Sequence, residues 1–246
     1  MRIAILSDIH GNLEALDEVL GDMGTVDAVW CLGDLVGYGP DPAACIERAR
    51  DGRFVCVAGN HDLAAAGEMD SSELFNVEAD AAVQWSARQL GTSDRAFLAN
   101  LPTEQQCEDF TLVHGSPRDP IWEYLTNMRL AQLNFVYFAS RYCLVGHTHV
   151  PLVFQQPLPA APSQTYETFV PQPDEPMHLD AHRLIINPGA VGQPRDGHPE
   201  AAYMLLDTDA GSITLRRLAY PVDLVQQKML RSGLPERLAR RLAYGW

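Results

Sequence analysis

Five short motifs between Asp8 and His149 are rich in carboxylate, amide and imidazole side chains. In chain order they are Asp8-Ile9-His10, Gly33-Asp34, Gly59-Asn60-His61-Asp62, Val113-His114-Gly115 and Gly146-His147-Thr148-His149. Five of the eight histidines of the chain fall inside these motifs. Oxygen and imidazole donors of this kind bind first-row divalent cations. The set is large enough for two adjacent ions, with one histidine left for acid chemistry.

Each motif follows a short apolar run that is typical of a buried strand. The five runs are Arg2–Leu6, Ala28–Leu32, Phe54–Ala58, Phe110–Val113 and Cys143–Val145. In α/β sheets, ligands bind beyond the carboxyl ends of the strands. We therefore expect the polar tips of five segments that are distant in sequence to meet at one place.

The rest of the chain predicts further helices and strands around these five runs. Helices are expected from Asn12 and from Asp41-Pro42, and over Asn76–Leu90, Ser93–Asn100 and Arg129–Tyr142. Strands are expected at Leu152–Gln155, Thr168–Val170, Arg183–Ile186, Ala202–Leu206 and Ser212–Leu218. We expect one domain over residues 1–246, with a helical insertion at about 63–101, a proline-rich excursion at about 156–176 and a helical tail at 221–246.

The order of the motifs resembles that of the calcineurin-like metallophosphoesterase superfamily, whose pattern is D-x-H, G-D, G-N-H-D/E, H and G-H-x-H. All five blocks are present in order, and the small bacterial and archaeal phosphodiesterase branch is the most similar. The resemblance implies an α/β fold, a four-layer α-β-β-α sandwich of two mixed sheets flanked by helices.

The same resemblance implies a role for each matching residue. A first ion would be held by Asp8, His10 and His149, a second by Asn60, His114 and His147, and Asp34 would bridge both. A hydroxide held between the two ions would attack the phosphorus, and His61 would donate a proton to the leaving alkoxide. The ligand set favours manganese and is also compatible with iron, zinc, nickel or cobalt.

Two departures from the protein-phosphatase branch of the superfamily argue against protein-phosphatase activity. That branch carries G-D-x-V-D-R-G at the second motif, whereas this chain has Gly37 and Tyr38 in place of the aspartate and the arginine. Arg118 and Arg195 are the alternative candidates for holding a substrate phosphate. Each is followed by an aspartate, so a local structural ion pair is the other interpretation of each. Asp62 either orients a neighbouring ligand or caps the next helix.

The net charge, the cysteines and the lengths of the apolar stretches indicate where the protein is located and which kinds of partner it binds. The net charge of −14 disfavours stable nucleic-acid binding, and a small phosphorylated or nucleotide-like substrate remains compatible. Five cysteines without a C-x-x-C pair, together with no signal peptide, predict a cytoplasmic protein. No apolar stretch approaches about 18 residues, so we expect no membrane span. The sequence does not decide whether the chain forms a homo-oligomer.

Two classes of function are compatible with these residues. The first is a metal-dependent phosphoesterase, with a phosphodiester favoured and a phosphomonoester or dinucleoside polyphosphate as the alternative substrate. The second is a non-catalytic, metal-bound scaffold that senses a ligand or binds a protein. The presence of His61 favours the enzyme, because a binding module needs no general acid.

Overall fold

Two six-stranded mixed sheets pack face to face, with helices on their outer faces. The computed structural model describes residues 1–157, 166–179 and 182–246, and all statements on the fold concern these ranges. The four-layer α/β architecture that the family resemblance implies is therefore confirmed.

Numbered in chain order, the strands are Arg2–Leu6 (β1), Ala28–Cys31 (β2), Val55–Cys56 (β3), Glu104–Cys107 (β4), Phe110–Val113 (β5), Tyr142–Leu144 (β6), Leu152–Gln156 (β7), Glu167–Phe169 (β8), Pro176–His178 (β9), Arg183–Asn187 (β10), Ala201–Asp207 (β11) and Ser212–Leu218 (β12). The first sheet has the spatial order β3-β2-β1-β11-β12-β9 and the second has the order β4-β5-β6-β10-β7-β8.

Numbered in the same way, the helices are Leu13–Asp22 (α1), Pro42–Asp51 (α2), Asn60–Ala66 (α3), Ser71–Leu74 (α4), Val77–Gln89 (α5), Thr92–Ala99 (α6), Met128–Asn134 (α7), Val222–Arg231 (α8) and Glu236–Arg241 (α9), followed by a short 3₁₀ turn at Leu242–Tyr244. None of the helices in the described ranges combines the length and apolar character needed to cross a lipid bilayer.

Three apolar layers hold the sheets and helices together. Ile5 and Leu144 belong to the layer between the two sheets. Leu16 of α1 lies in the layer outside the first sheet, and Phe135, directly after α7, lies in the layer outside the second. Successive residues of β1 alternate between two of these layers, because neighbouring strand side chains point to opposite faces and both faces are covered.

The parallel strand pairs bring the predicted motifs together. In the first sheet β1, β2 and β3 run parallel, with Leu6 opposite Cys31 and Cys31 opposite Cys56. In the second sheet β5 and β6 are parallel, with Leu112 opposite Leu144. All five strands therefore end beside a parallel partner, and the loops that follow them carry the motifs.

The helix predicted over Arg129–Tyr142 is wrong in its second half. The helix ends at Asn134, and Tyr142 begins strand β6. The guanidinium of Arg183 donates to the carbonyls of Phe135 and Phe138 at 2.7 and 2.6 Å, and these bonds hold the chain outside a helical path.

Two short edge strands were also not predicted from the sequence. Glu104–Cys107 and Pro176–His178 each lie at the edge of a sheet and contain no apolar run. Of the proline-rich excursion predicted at about 156–176, residues 158–165 lie outside the described residues. The edge strand at Glu167–Phe169 lies one residue before the strand expected at Thr168–Val170. The helical tail predicted at 221–246 consists of two helices and a 3₁₀ turn.

Candidate active site

The seven predicted metal ligands lie together at the strand ends, and each is at most 4% exposed. In the first group, Asp8 Oδ1 lies 3.2 Å from His149 Nε2 and 3.8 Å from His10 Nε2. The two Nε2 atoms of His10 and His149 lie 3.2 Å apart. These three residues form one of the clusters whose geometry suits a metal ion.

A second group lies on the far side of Asp34. His114 Nε2 lies 3.0 Å from His147 Nδ1 and 3.2 Å from Asn60 Oδ1. Asp34 Oδ2 lies 3.3 Å from His114 Nε2 and 3.6 Å from His10 Nε2. One carboxylate oxygen therefore lies within reach of both groups, as a bridging ligand would.

The hydrogen bonds of the histidines test whether these groups fit a cation. His10 Nδ1 donates to the Val36 carbonyl at 3.0 Å, and His149 Nδ1 donates to the Gln193 carbonyl at 2.6 Å. Because a carbonyl only accepts, each neutral ring carries its hydrogen on Nδ1 and presents a lone pair at Nε2. The two lone pairs face each other, and a bound cation would relieve their repulsion.

Unpartnered buried atoms point to the same fit. Asp8 Oδ1 and Asp34 Oδ2 have no hydrogen-bond partner among the described residues. Buried polar atoms are almost always paired, since leaving one unpaired costs about 1–3 kcal/mol. Two adjacent divalent cations would satisfy both carboxylate oxygens, so the donor set fits the cofactor that the motifs predict.

Burial and mutual charge set the protonation of the ligands. Burial disfavours an ionised Asp8, but the neighbouring His149 outweighs burial and holds the pKa of Asp8 well below its ordinary value. Burial lowers the pKa of His10 and of His147 well below the ordinary value, which keeps their lone pairs free. Burial alone would lower the pKa of His114, yet the charge of Asp34 raises it to about 9. In the absence of a metal, His114 therefore carries a proton where a cation would bind.

Five of the seven ligands have a left-handed backbone, which non-glycine residues rarely adopt. The φ angles are 53° at Asp8, 49° at His10, 55° at Asp34, 64° at His147 and 60° at His149. Each such residue costs roughly 1 kcal/mol. Strain of this kind concentrates at functional sites, where the surrounding structure holds it in place.

Asp62 holds two of the ligand loops together. Its Oδ2 accepts from the backbone N–H of Asp34 at 2.8 Å and of Gly59 at 3.0 Å, and its Oδ1 accepts from Val36 N–H at 3.2 Å. The bond to Gly59 caps α3 and the other two fix the Asp34 loop. Both of the roles left open for Asp62 are therefore observed together.

His61 lies beside the ligands in a ring of aromatic contacts. Its ring centroid is 4.4 Å from that of Tyr38, 4.7 Å from that of Phe75 and 4.9 Å from that of His10. Its Nδ1 is buried and has no hydrogen-bond partner in the described ranges. Burial lowers the pKa of His61 to about 4. The ring also lies close enough to His10 and Asp34 to form a third candidate ligand cluster.

Gly37 makes room for the His61 ring. Its φ is +90°, and a Cβ built there would lie 2.3 Å from His61 Nδ1. The aspartate found at this position in protein phosphatases therefore has no space here. The close approach gives a physical reason for the departure noted in the sequence.

The two arginines proposed from the sequence differ in their surroundings. Arg118 forms an ion pair with Glu123, and the nearest acid in sequence, Asp119, is not its partner. Arg195 donates to Gln193 Oε1 at 2.9 Å and to the Tyr38 hydroxyl at 3.5 Å, and its Nε is buried and unpartnered among the described residues. Arg195 is thus the more available of the two for a phosphate.

Two residues that contact the predicted metal ligands were not predicted from the sequence. Tyr124 stacks on the His147 ring, with centroids 3.8 Å apart. Ser7 donates to Asp8 Oδ2 at 2.6 Å, and His147 N–H donates to the same oxygen at 3.1 Å. Ser7 directly precedes the first motif, which is the signal that could have indicated it, whereas Tyr124 lies outside the motifs.

The fold and the ligand clusters together define a phosphoesterase of the calcineurin-like class. Residues 1–211 match the Calcineurin-like phosphoesterase superfamily domain, and the chain belongs to that superfamily. The reaction that this family supports is metal-dependent hydrolysis of phosphate esters.

Particular relatives extend over nearly the whole chain. The crystal structure of a metallophosphoesterase from Sphaerobacter thermophilus is 46% identical, has a TM-score of 0.90, and covers 100% of this chain and 99% of that one. Uncharacterized protein MJ0912 of Methanocaldococcus jannaschii is 34% identical over 251 residues, which cover 99% of this chain and 98% of that protein. Phosphodiesterase YfcE of Escherichia coli K12 is 26% identical over 228 residues, covering 87% of this chain and 91% of that protein.

Proposed function

We propose that the protein is a dinuclear metal-dependent phosphodiesterase that acts on a small or nucleotide-like phosphate ester. The observation that carries the proposal is the facing pair of Nε2 lone pairs on His10 and His149, beside the unpartnered oxygens of Asp8 and Asp34. This arrangement is unfavourable without a cation and is well suited to binding one.

The ligands divide into two groups that share one carboxylate. We assign the first ion to Asp8, His10 and His149, the second to Asn60, His114 and His147, and Asp34 to both. Manganese is the metal we expect, with iron, zinc, nickel or cobalt as the alternatives. When bound, two such cations would offset the charge of the phosphate and lower the pKa of the attacking water.

His61 is the general acid in this proposal. Its ring lies beside the ligand cluster, with its centroid 4.9 Å from that of His10, and its Nδ1 makes no hydrogen bond within the described part of the chain. A proton on this ring could pass to the leaving oxygen of the ester. Arg195 would bind a non-bridging phosphate oxygen with the guanidinium donor that is unpartnered in the structure.

A diester is favoured over a monoester on electrostatic grounds. A diester carries one fewer negative charge, and the chain itself carries a net charge of −14. The name of YfcE, a phosphodiesterase related to this chain at 26% identity, supports the same choice. We expect a cytoplasmic location, with which five cysteines outside any disulfide are compatible.

The test is a comparison of two chromogenic substrates with Mn²⁺ present. Bis(p-nitrophenyl) phosphate should be cleaved faster than p-nitrophenyl phosphate at the same metal and salt concentration. Omission of the metal should abolish both activities. A clear preference for the monoester would contradict the diester assignment, and inactivity on all esters in every metal would favour the non-catalytic scaffold.

A further inference from the structure

A cavity of about 980 Å³ lies beside the candidate active site, between the segment that follows strand β12 and the start of helix α5. Its lining includes Tyr38, Arg241, Tyr244 and Trp246. Tyr38 is shared with the active site, since its ring contacts the rings of His10 and His61. The cavity is large enough for a small organic ligand.

Arg241 is the unusual charge of this cavity. Its Nε and Nη2 atoms are buried and make no hydrogen bond to the described residues. The two acidic side chains that line the cavity pair with other arginines of its lining, Glu236 with Arg240 at 2.5 Å and Glu78 with Arg237 at 3.7 Å. Within the described ranges, no carboxylate lies within ion-pair distance of Arg241.

A second uncompensated guanidinium lies close by. Arg195 also forms no ion pair with a described carboxylate, and both guanidinium groups lie over the Tyr38 ring, at 4.7 Å for Arg241 and 5.8 Å for Arg195. Burial and the charge of Arg195 lower the pKa of Arg241 to about 10. In a chain with 32 acidic and 18 basic residues, two adjacent arginines without an acidic partner indicate an anionic ligand.

The cavity is joined to the metal ligands by a continuous stretch of backbone. Arg195 N–H donates to the His149 carbonyl at 3.2 Å, and Gly197 N–H donates to the Gly245 carbonyl at 3.0 Å. The loop that carries Arg195 therefore connects the predicted ligand His149 to the segment around Gly245, whose neighbours Tyr244 and Trp246 line the cavity. The Tyr38 ring also connects the two sites. Its centroid lies 4.4 Å from that of the His61 ring and 4.7 Å from the Arg241 guanidinium.

We propose that Arg241 is a specificity-determining residue that binds a second phosphoryl group of the substrate, while the cavity beside it binds the organic group to which that phosphate is joined. The exposed aromatic rings of Tyr244 and Trp246, with centroids 5.3 Å apart, suit a flat group such as a nucleobase. The inference rests on the proposed function and narrows the substrate to nucleotide-like compounds with more than one phosphoryl group. Arg241, Tyr244 and Trp246 all lie beyond residues 1–211, the part of the chain that matches the family domain.

The test is calorimetric binding of adenosine 5′-(α,β-methylene)diphosphate, which cannot be cleaved between its phosphorus atoms, to the manganese-loaded protein. Arg241→Met should weaken binding at least about tenfold, because a bidentate guanidinium–phosphate contact is lost. Arg231→Met removes the same charge from an exposed position on the neighbouring helix α8 and should change the affinity less than about twofold. Methylenediphosphonate, which has no nucleoside, should show the same loss with Arg241→Met and no loss with Trp246→Ala.

Two further measurements keep the outcomes distinct. Arg241→Lys should restore part of the affinity, and thermal unfolding of Arg241→Met shows whether its own loss of affinity reflects misfolding. Equal affinity of wild type and Arg241→Met for the analogue would overturn the subsite, even if the wild type hydrolyses bis(p-nitrophenyl) phosphate. If the wild type cleaves no ester but Arg241→Met loses analogue binding, the subsite stands and the proposed enzymatic function is wrong.

Discussion

Replacing His61 by alanine should change how the hydrolysis rate depends on the leaving group. Burial lowers the pKa of His61 to about 4 in the metal-free protein, and nearby cations would lower it further. At pH 7 at most about one ring in a thousand therefore carries the acidic proton. A leaving group that needs this proton should therefore depart more slowly as the pH rises.

The magnitude follows from comparing two classes of diester in one protein. Both diesters are attacked by the same nucleophile, so its ionisation affects both rates equally. The ratio of kcat/KM for an alkyl diester to kcat/KM for a p-nitrophenyl diester therefore does not depend on that ionisation. Because kcat/KM reports groups of the free enzyme, this ratio should fall about tenfold per pH unit from pH 5 to pH 8. In His61→Ala the ratio should be flat, and at pH 5 the alkyl diester should lose about 10²–10⁴-fold in rate.

The metal content of the variants shows whether His61 is a general acid or a metal ligand. His61→Ala should retain its metals, His147→Ala should lose metal, and the exposed control His198→Ala should match the wild type. The acid assignment is refuted if the wild-type ratio is independent of pH. It is equally refuted if His61→Ala loses metal as readily as His147→Ala.

Two further predictions follow from the geometry around the ligands. Gly37→Ala should lower activity at least about tenfold, because a Cβ at this position would collide with the His61 ring. The φ of +90° should also destabilise the fold of this variant by about 1–2 kcal/mol through backbone strain. Gly21→Ala at an open position of α1 should instead be neutral or stabilising by up to about 1 kcal/mol, and thermal unfolding with a hydrolysis assay compares the two. The pKa of His114 is raised to about 9, so below this pH a metal must displace the proton of His114. The metal affinity measured by calorimetry should therefore rise by up to about tenfold per pH unit from pH 6 to pH 9. An affinity independent of pH would contradict this prediction.

The strands that carry the motifs could be predicted because each is an apolar run that ends in a polar tip. Arg2–Leu6 and Phe110–Val113 have the bounds that the sequence indicated. The edge strand Glu104–Cys107 could not be predicted, since an edge strand needs no apolar face. The end of helix α7 at Asn134 depends on hydrogen bonds from Arg183, which is distant in sequence, and local periodicity carries no information about such a bond.

Residues within the motifs could be proposed as site residues from the sequence, whereas their supporting contacts could not. The three backbone bonds to Asp62 depend on two loops meeting in space. The left-handed backbone at Asp8 and His147 could not be predicted from residue type, because most aspartates and histidines do not adopt it. Arg241 lies nearly a hundred residues beyond the last motif, and only the fold places its guanidinium over Tyr38.

The central claim is that two cations share Asp34 in this site. The most direct measurement is an anomalous difference map from a crystal of the manganese-loaded protein. We predict two peaks, one within roughly 2.0–2.3 Å of the Asp8, His10 and His149 ligand atoms and one equally close to those of Asn60, His114 and His147, with Asp34 touching both. A single peak at saturating manganese, or peaks away from these seven residues, would contradict the account.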